Sequence, residues 1–292
     1  MKTNTLIHTL LLAGALLTTV CQQLPARKKD KTLNVATFNI RYDCGYDHGN
    51  EWSQRRDTVA ALVRHNNWHL VGMQEVLNNQ LTDLLERLPD YGYVGVGRED
   101  GRTKGEYSAL FYHKGRFELI DKGHFWLSQY PDSAGFIGWD GACSRIASWA
   151  KLKDRNTGRQ LVFLNTHFDH IGKVAMREAA HLVMSRLDSL TQGLPLILTG
   201  DLNVDDQSES YHILTHGTPH LNDAYKLAPQ REGPDYTYHN FGRLPAEQRR
   251  KIDFILTSDH IKVYHSAILQ EHSQTTGHVS DHNPHWCHIR IQ

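Results

Sequence analysis

The chain has 292 residues, of which 39% are hydrophobic, and its 32 basic and 32 acidic residues give a formal net charge of zero. This composition excludes a disordered chain and allows one large domain or two smaller ones. Because strong sequence-independent binding of nucleic acid needs a basic surface, the neutral charge argues against it, but a small phosphorylated substrate stays compatible.

The first 26 residues are predicted to be a signal peptide. Lys2 supplies its positive end, and residues 6–20 form an apolar stretch that is too short for a membrane-spanning helix. Cleavage after Ala26 would release a soluble protein, whereas cleavage before Cys21 would leave a lipoprotein. Residues 27–31 are then a charged linker and residues 32–292 the folded domain. We expect an exported protein that is periplasmic, lipid-anchored at the surface or secreted.

Beyond Cys21 the chain has three cysteines, Cys44, Cys143 and Cys287, and no Cys-x-x-Cys pair. This spacing disfavours a zinc or dithiol site. A disulfide between Cys44 and Cys143 is left open, since an oxidising compartment would permit it.

The first half of the domain alternates apolar strands with amphipathic helices. Hydrophobic periodicity predicts strands at 33–40, 69–73, 91–96, 108–113 and 116–127, and helices at 54–66 and 78–88. In the first helix Val59, Leu62 and Val63 form the predicted buried face, and Arg55 is placed outside it.

The second half repeats this order. Strands are predicted at 146–153, 160–166, 196–198, 252–257, 261–269 and 285–291, a long helix at 174–190, and loop-rich chain at 226–250. A further helix is expected to begin near Asp206, with Asp206 and Glu209 as a reciprocal cap. Without a linker between the halves, the repeat predicts two sheet-plus-helix layers packed face to face in one domain.

Polar residues stand at or just beyond the ends of several apolar strands, where rigid scaffold meets loop. Seven share this placement: Asn39, Glu75, His167, Asp201, Asn203, Asp281 and His282. Their number predicts a ring around a common opening rather than separate turns. Oxygen donors of this kind suit Mg²⁺, Mn²⁺ or Ca²⁺, and the histidines suit proton transfer or phosphate binding.

Six short motifs resemble the endonuclease/exonuclease/phosphatase superfamily, which includes deoxyribonucleases, sphingomyelinases, inositol-polyphosphate phosphatases and nocturnin-like deadenylases. They are Thr-Phe-Asn-Ile-Arg at 37–41, Gln-Glu at 74–75, Asn-Thr-His-Phe-Asp at 165–169, Gly-Asp-Leu-Asn at 200–203, Ile-Asp-Phe-Ile at 252–255 and Ser-Asp-His-Asn-Pro at 280–284. The resemblance implies an α/β fold, namely a four-layer α/β/β/α sandwich of two packed mixed β-sheets flanked by helices. It also implies Mg²⁺-dependent hydrolysis of phosphate esters, with Mn²⁺ or Ca²⁺ as alternatives.

The same resemblance implies a role for each strand-end residue. Glu75 would be the principal metal ligand, with Asn39 and Asp281 beside it. Asp201 would position or deprotonate the attacking water. Asn203 and His167 would hold phosphate oxygens, and His282, oriented by Asp253, would bind phosphate or stabilise the transition state.

Two further residues are candidates for the same site. Arg145, in the loop before a strand, is a candidate for binding the substrate phosphate. Asp169 faces the same side as His167 in extended chain and is an open candidate.

The predicted function is an exported, divalent-metal-dependent phosphoric ester hydrolase, either a phosphodiesterase or a phosphatase, that uses in-line attack by water. One alternative is a binuclear zinc hydrolase, because His167-Phe-Asp169-His170 is part of a metal-binding pattern, although Asn165 fills its first His position. Another is a surface binding protein that kept the fold without catalysis. Nucleic acid, a phospholipid head group and a phosphorylated sugar are the candidate substrates. We expect a monomer with no protein partner.

Overall fold

The computed structural model describes residues 30–270 and 277–292. The predicted signal peptide and positions 27–29 of the linker lie outside the described residues. Within the described part, no helix is both long and apolar enough to cross a lipid bilayer.

Two β-sheets form the centre of the described chain. In chain order the strands are β1 (Thr32–Asn39), β2 (Leu70–Val76), β3 (Tyr91–Val94), β4 (Tyr107–His113), β5 (Phe117–Trp126), β6 (Ile146–Asp154), β7 (Gln160–His167), β8 (Leu196–Asp201), β9 (Leu221–Asp223), β10 (Gln230–Glu232), β11 (Asp253–Ser258), β12 (Ile261–Ile268) and β13 (His285–Ile291). The first sheet has the order β10-β12-β13-β1-β2-β4-β3 and the second the order β5-β6-β7-β8-β11-β9. Each contains parallel and antiparallel pairs, so both sheets are mixed.

Helices cover the outer faces of the two sheets. They are α1 (Trp52–His65), α2 (Asn78–Arg87), α3 (Lys173–Thr191) and α4 (Glu209–His216). The short helix α5 (Ala224–Leu227) instead contacts β9, β11 and β12 and contributes Ala224 to the apolar cluster between the sheets, and a 3₁₀ turn lies at Ala246–Gln248. One apolar cluster lies between the first sheet and α1 and α2, another between the second sheet and α3 and α4. A third, including Leu110, Phe163 and Ile197, lies between the sheets. The predicted four-layer α/β/β/α sandwich is confirmed.

The two parallel pairs explain why the predicted site residues meet. In the first sheet β1 and β2 run parallel with Asn39 opposite Gln74, and in the second β7 and β8 run parallel with His167 opposite Asp201. Because parallel strands end at the same edge, each pair brings its last side chains to one edge of its sheet. Face-to-face packing then brings the two edges together.

A buried seam of hydrogen-bonded polar side chains, centred on Asn165, connects the two sheets just below that edge. The Asn165 amide donates to the carbonyl oxygens of Met73 (2.9 Å) and Ala109 (3.0 Å) in the opposite sheet. Its Oδ1 accepts from Gln74 Nε2 (2.6 Å) and Thr199 Oγ1 (3.0 Å). Gly72 makes this approach possible, because a Cβ there would overlap the Thr199 and Asn165 side chains. Asn165 therefore fixes the position of one sheet against the other.

Two local expectations are wrong, and one is confirmed. The cap of α4 is Ser208, whose Oγ accepts from the Tyr211 amide at 3.2 Å, and not Asp206, which pairs with Lys226. The segment 226–250 is loop-rich as expected, since its regular structure is limited to the end of α5, the three-residue strand β10 and one 3₁₀ turn. Arg55, placed outside the buried face of the first helix, is fully buried.

In the described part of the chain, Cys44, Cys143 and Cys287 are free thiols, so the open Cys44–Cys143 disulfide is not formed. Cys44 donates to Asp47 Oδ1 at 3.2 Å, and Cys287 is buried beside Ser266.

Candidate active site

A cavity of about 510 Å³ opens at the edge where the strand ends converge. Seven of the predicted site residues line it: Glu75, Arg145, His167, Asp201, Asn203, Asp281 and His282. Asn39 and Asp253 do not line the cavity but are bonded to residues that do. All nine predicted side chains are therefore brought together, although they come from both sheets.

At the floor of the cavity, His282 lies between two carboxylates. Its Nδ1 donates to Asp253 Oδ2 at 2.8 Å, and its Nε2 lies 3.8 Å from Asp201 Oδ2. Asp253 and Asp201 face each other across the antiparallel pair of β11 and β8, which sets this spacing. All three side chains are buried. The arrangement holds one imidazole ring in a fixed orientation between two acids.

Burial and charge shift the proton affinities of this trio. Burial, and then the neighbouring Asp253 charge, raise the pKa of Asp201 to about 7. Burial alone would lower the pKa of His282, but the charge of Asp253 and its hydrogen bond outweigh it and raise this pKa to about 10. At neutral pH His282 is thus a cation, while Asp201 is poised near the pH at which a general base is most effective.

His167 and Asn203 form the second part of the cavity wall. Asn203 Nδ2 lies 3.0 Å from His167 Nε2 and donates to the Phe168 carbonyl at 3.0 Å. Burial, and then the charges of Arg145 and Arg98, hold the pKa of His167 well below its usual value, so its ring is neutral. His167 Nε2 is 3.5 Å from Asp201 Oδ2, and the Asn203 backbone amide donates to Asp201 Oδ1 at 3.0 Å, so both residues flank the Asp201 carboxylate.

Sequence reasoning missed Glu106 and Arg98, which also line the cavity. Glu106 Oε2 lies 3.9 Å from His167 Nδ1, and Arg98 holds the Glu106 carboxylate in two hydrogen bonds of 2.7 and 2.8 Å. Glu106 directly precedes β4, which runs antiparallel to β2. A signal was therefore present, because the start of an antiparallel strand lies at the same edge as the end of its neighbour.

Glu75 and Asp281 form an acidic pair on the other side of the cavity. The Arg41 guanidinium lies between them, 3.9 Å from Glu75 Oε2 and 4.0 Å from Asp281 Oδ2. Burial, together with the charge of Glu75, raises the pKa of Asp281 to about 6, although His282 and Arg41 oppose this rise. A buried carboxylate (Asp281) and a half-buried one (Glu75), both facing the same cavity, are oxygen donors of the kind that fits a hard divalent ion.

Asn39 connects the acidic pair to the trio. Its Nδ2 donates to Glu75 Oε1 at 2.9 Å and to Asp201 Oδ2 at 3.0 Å, while its Oδ1 accepts from the Arg41 amide at 3.0 Å. Glu75 also accepts from the Tyr42 amide at 3.0 Å. Asn39 thus fixes the two carboxylates relative to each other, and one lone pair of its Oδ1 is left for an ion.

The backbone is strained at three of these positions. Arg41, Glu75 and Asn203 have φ values of 59°, 62° and 52°, in the left-handed region that residues with a Cβ rarely adopt. Glu75 also lies within the irregularity where β2 loses register with β4. Such conformations cost about 1–3 kcal/mol each and persist where the surrounding structure enforces them, often at functional sites.

Arg145 lines the cavity, but most of its guanidinium group is directed into the protein. Its Nη2 bonds His170 Nδ1 at 2.9 Å, its Nε is 3.8 Å from Asp169 Oδ2, and Nε and Nη1 are buried without a hydrogen-bond partner among the described residues. Asp169 accepts from the backbone amides of loop residues 142, 171 and 172 at 2.8–2.9 Å. Asp169, the open candidate, is therefore an anchor for loops rather than a cavity residue.

Among residues 30–270 and 277–292, two clusters have enough ligand atoms within 4.8 Å of one another to hold a metal, and neither fits zinc well. In the first, Cys143, Asp169 and His170, the carboxylate is occupied by backbone amides and the imidazole by Arg145. In the second, Asp201, Asp253 and His282, the carboxylates already accept hydrogen bonds, Asp253 from His282 Nδ1 and Asp201 from the Asn39 amide. Asn165, at the position where a zinc site needs its first His, is buried in the seam between the sheets. The donor chemistry therefore favours Glu75 and Asp281 with a hard ion over a binuclear zinc centre.

Comparison with curated proteins gives partial matches. Nocturnin of Xenopus laevis is 32% identical over 158 residues, which cover 52% of this chain and 38% of nocturnin. The chain thus matches less than half the length of that relative.

Solved structures match over nearly the whole described chain. An endonuclease/exonuclease/phosphatase from Bacteroides vulgatus is 43% identical with a TM-score of 0.87, covering 90% of this chain and 100% of that one. A mannosyl-6-phosphatase of Bacteroides thetaiotaomicron is 38% identical with a TM-score of 0.82, covering 89% and 100%. A sequence model of the Endonuclease/Exonuclease/phosphatase family matches residues 36–282. The chain belongs to the endonuclease/exonuclease/phosphatase family.

Proposed function

We propose that this protein is an exported, divalent-metal-dependent phosphoric ester hydrolase that uses in-line attack by water. The observation that carries the proposal is one cavity in which a poised carboxylate, a charged histidine and an acidic pair converge. Asp201 and His282 are 3.8 Å apart there, and Asn39 connects Asp201 to Glu75. Members of this family hydrolyse phosphate esters, so this chemistry agrees with the fold.

The side chains divide the reaction between them. Asp201, whose pKa is raised to about 7, orients the attacking water and takes its proton. His282 is held as a cation by Asp253 and stabilises the negative charge that develops on the phosphoryl oxygens. Asn203 and neutral His167 orient the phosphate. Glu75 and Asp281, with Asn39, would hold Mg²⁺ or Mn²⁺, which neutralises phosphate charge when bound.

For the substrate we propose a phosphorylated sugar ahead of nucleic acid or a phospholipid head group. The related mannosyl-6-phosphatase, at 38% identity, supports this choice. So does the size of the cavity, because about 510 Å³ suits a small phosphate ester better than a long strand. The loop that carries the cavity-lining Arg98 is held in place by neighbours outside the cavity. The Trp126 indole donates to the Arg98 carbonyl at 2.6 Å, and Gly135 approaches the Glu99 carbonyl so closely that a Cβ would overlap it.

The test is phosphate release from three substrate classes: mannose 6-phosphate, phosphocholine lipids and an oligonucleotide, each with Mg²⁺ and with EDTA. We expect Mg²⁺-dependent release that is fastest with the sugar phosphate. Asp201→Asn and His282→Gln should each lower kcat by about 10²–10⁴-fold, whereas the exposed-side control Asp206→Asn should leave it unchanged. EDTA-resistant turnover would contradict the metal requirement, and binding without turnover would favour the non-catalytic alternative.

Export is tested separately from catalysis. Expression of the full chain followed by cell fractionation and intact-mass analysis distinguishes the expected products. Cleavage after Ala26 gives a soluble chain, and cleavage before Cys21 gives a heavier, lipid-modified one in the membrane fraction. Uncleaved protein in the cytoplasm would refute the export proposal without bearing on the chemistry.

A further inference from the structure

Arg55 is a charged side chain buried completely within the fold. It lies on α1, four residues before Val59, and therefore on the face that packs against the first sheet. Its nearest carboxylate, Asp47, is 4.0 Å away, beyond hydrogen-bond distance. Because burying an unpaired charge is expensive, hydrogen bonds must replace the water that this guanidinium has lost.

Backbone carbonyl groups supply those hydrogen bonds. Arg55 Nε donates to Asn50 O at 2.5 Å, Nη1 to Ile40 O at 2.6 Å and to Val279 O at 3.0 Å, and Nη2 to Arg41 O at 3.2 Å. These carbonyls belong to three separate segments: the end of β1, the loop before α1, and the stretch just before β13. One side chain thus joins three segments, one of which lies 224 positions from Arg55 in sequence.

We propose that Arg55 is a positioning residue that sets the spacing of the metal-binding carboxylates, an inference that rests on the proposed function. The end of β1 carries Asn39, which holds Glu75, and the segment after Val279 carries Asp281. Ser280 makes a second connection between the same segments, because its Oγ donates to the Asn39 carbonyl at 2.7 Å. Arg55 also bonds the carbonyl of Arg41, the residue whose left-handed backbone directs its guanidinium between the two acids.

Only a guanidinium can serve all these carbonyls at once. Arginine has five N–H donors spread over a planar fork, whereas lysine has three donors on a single nitrogen. With lysine at position 55, some of the carbonyls would lose their donor, and the segments they belong to would no longer be held at one separation. The donor atoms of the ion site would then be less well placed, and loss of such outer support typically weakens metal binding by about 10–100-fold.

The experiment compares Mn²⁺ binding to the purified protein by isothermal titration calorimetry and electron paramagnetic resonance. Arg55→Lys should bind Mn²⁺ about 10–100-fold more weakly, and the apparent Mn²⁺ requirement of phosphate release should rise in parallel. Ser280→Ala removes the second connection together with the contacts of Ser280 Oγ to Asp281 Oδ1 and to the His282 amide. It should show a smaller loss of Mn²⁺ affinity and keeps the test valid if Arg55→Lys folds poorly.

Arg116→Lys is the matched control. Arg116 is also buried, and it bonds the Asp154 carboxylate at 2.7 and 3.0 Å. Asp154 is eight residues along β6 from its cavity end, about 26 Å at 3.3 Å per residue. This variant should lose thermal stability but keep Mn²⁺ affinity within about twofold of wild type.

Two results would overturn the inference. One is unchanged Mn²⁺ affinity in folded Arg55→Lys and Ser280→Ala, and the other is a loss of Mn²⁺ affinity in Arg116→Lys that equals the loss in Arg55→Lys. If wild-type protein hydrolyses phosphate esters without binding Mn²⁺, the metal requirement itself is wrong. The wild-type measurement therefore tests the proposed function, and the ratio of variant to wild type tests Arg55.

Discussion

Asp253→Asn is the substitution that most directly tests the charged state of His282. The change is isosteric, so the amide oxygen can still accept the hydrogen bond that Asp253 Oδ2 now accepts from His282 Nδ1 at 2.8 Å. What is lost is the negative charge, the largest influence that keeps the imidazole protonated against the effect of burial. The variant thus separates charge from hydrogen-bond geometry.

The expected magnitude follows from the pKa of His282, which is raised from 6.5 to about 10. An adjacent opposite charge shifts a pKa by about 1–3 units, and each unit equals about 1.4 kcal/mol. The variant should therefore lose about 1.4–4 kcal/mol of unfolding free energy. Because its pKa is raised in the folded state, His282 contributes its full stabilisation of the fold below pH 6.5, and this contribution is lost as the pH rises through about 10. The difference from wild type should accordingly be largest near pH 6 and disappear above pH 10.

The assay is urea denaturation at pH 6, 8 and 10, combined with NMR titration of the His282 ring. Asp154→Asn is the control, because it removes a buried carboxylate whose partner is the arginine Arg116 and not a histidine, so its effect should not depend on pH in this way. The reasoning is refuted if wild-type His282 titrates near pH 6.5, or if Asp253→Asn lowers the unfolding free energy by the same amount at all three pH values.

Three further predictions concern stability. Asn165→Ala should lower the unfolding free energy by about 4 kcal/mol, since four buried polar groups each lose one hydrogen bond. A loss below about 1 kcal/mol in urea denaturation would contradict this. Burial lowers the folded-state pKa of His69 to about 4 and that of His285 well below 6.5. The unfolded chain therefore binds more protons than the folded one in this range. The urea concentration at the unfolding midpoint should fall as the pH is lowered from 6.5 to 4, and His285→Gln should make this fall with pH less steep. Ser208→Ala should lower stability by about 1 kcal/mol through loss of the α4 cap, measurable as a lower melting temperature.

Long periodic segments and strand-end residues could be predicted from sequence because their signals are local or repeated. The run at 196–198 is apolar throughout, as a strand buried on both faces requires, and it extends to Asp201 in β8. The three-residue strands β9 and β10 have no such signal, because they exist only through pairing with β11 and β12. Their formation depends on partners about 35 residues away, which periodicity cannot reveal.

Polar residues in the interior were harder to place. The charge of Arg55 favours a position outside the buried face of the helix, whereas its four-residue spacing from Val59 favours that face. The side chain is buried there, and four backbone carbonyls compensate for the burial. Glu106 was missed because it precedes a strand instead of following one. The burial of Arg55 and the place of Glu106 in the cavity both depend on where segments distant in sequence lie in the fold. The roles assigned to Glu75, Asn39 and Asp281 in metal binding stay predictions, although their convergence is visible.

The division of the cavity between the two sheets has a consequence for the folding chain. Glu75 and Asn39 come from the first sheet, and Asp201, His167 and Asp253 come from the second. No intermediate in which a single sheet has formed can assemble the complete constellation. Hydrolytic competence should therefore emerge late, together with docking of the halves, so that a partially folded chain stays inert towards the phosphate esters of the cell that makes it.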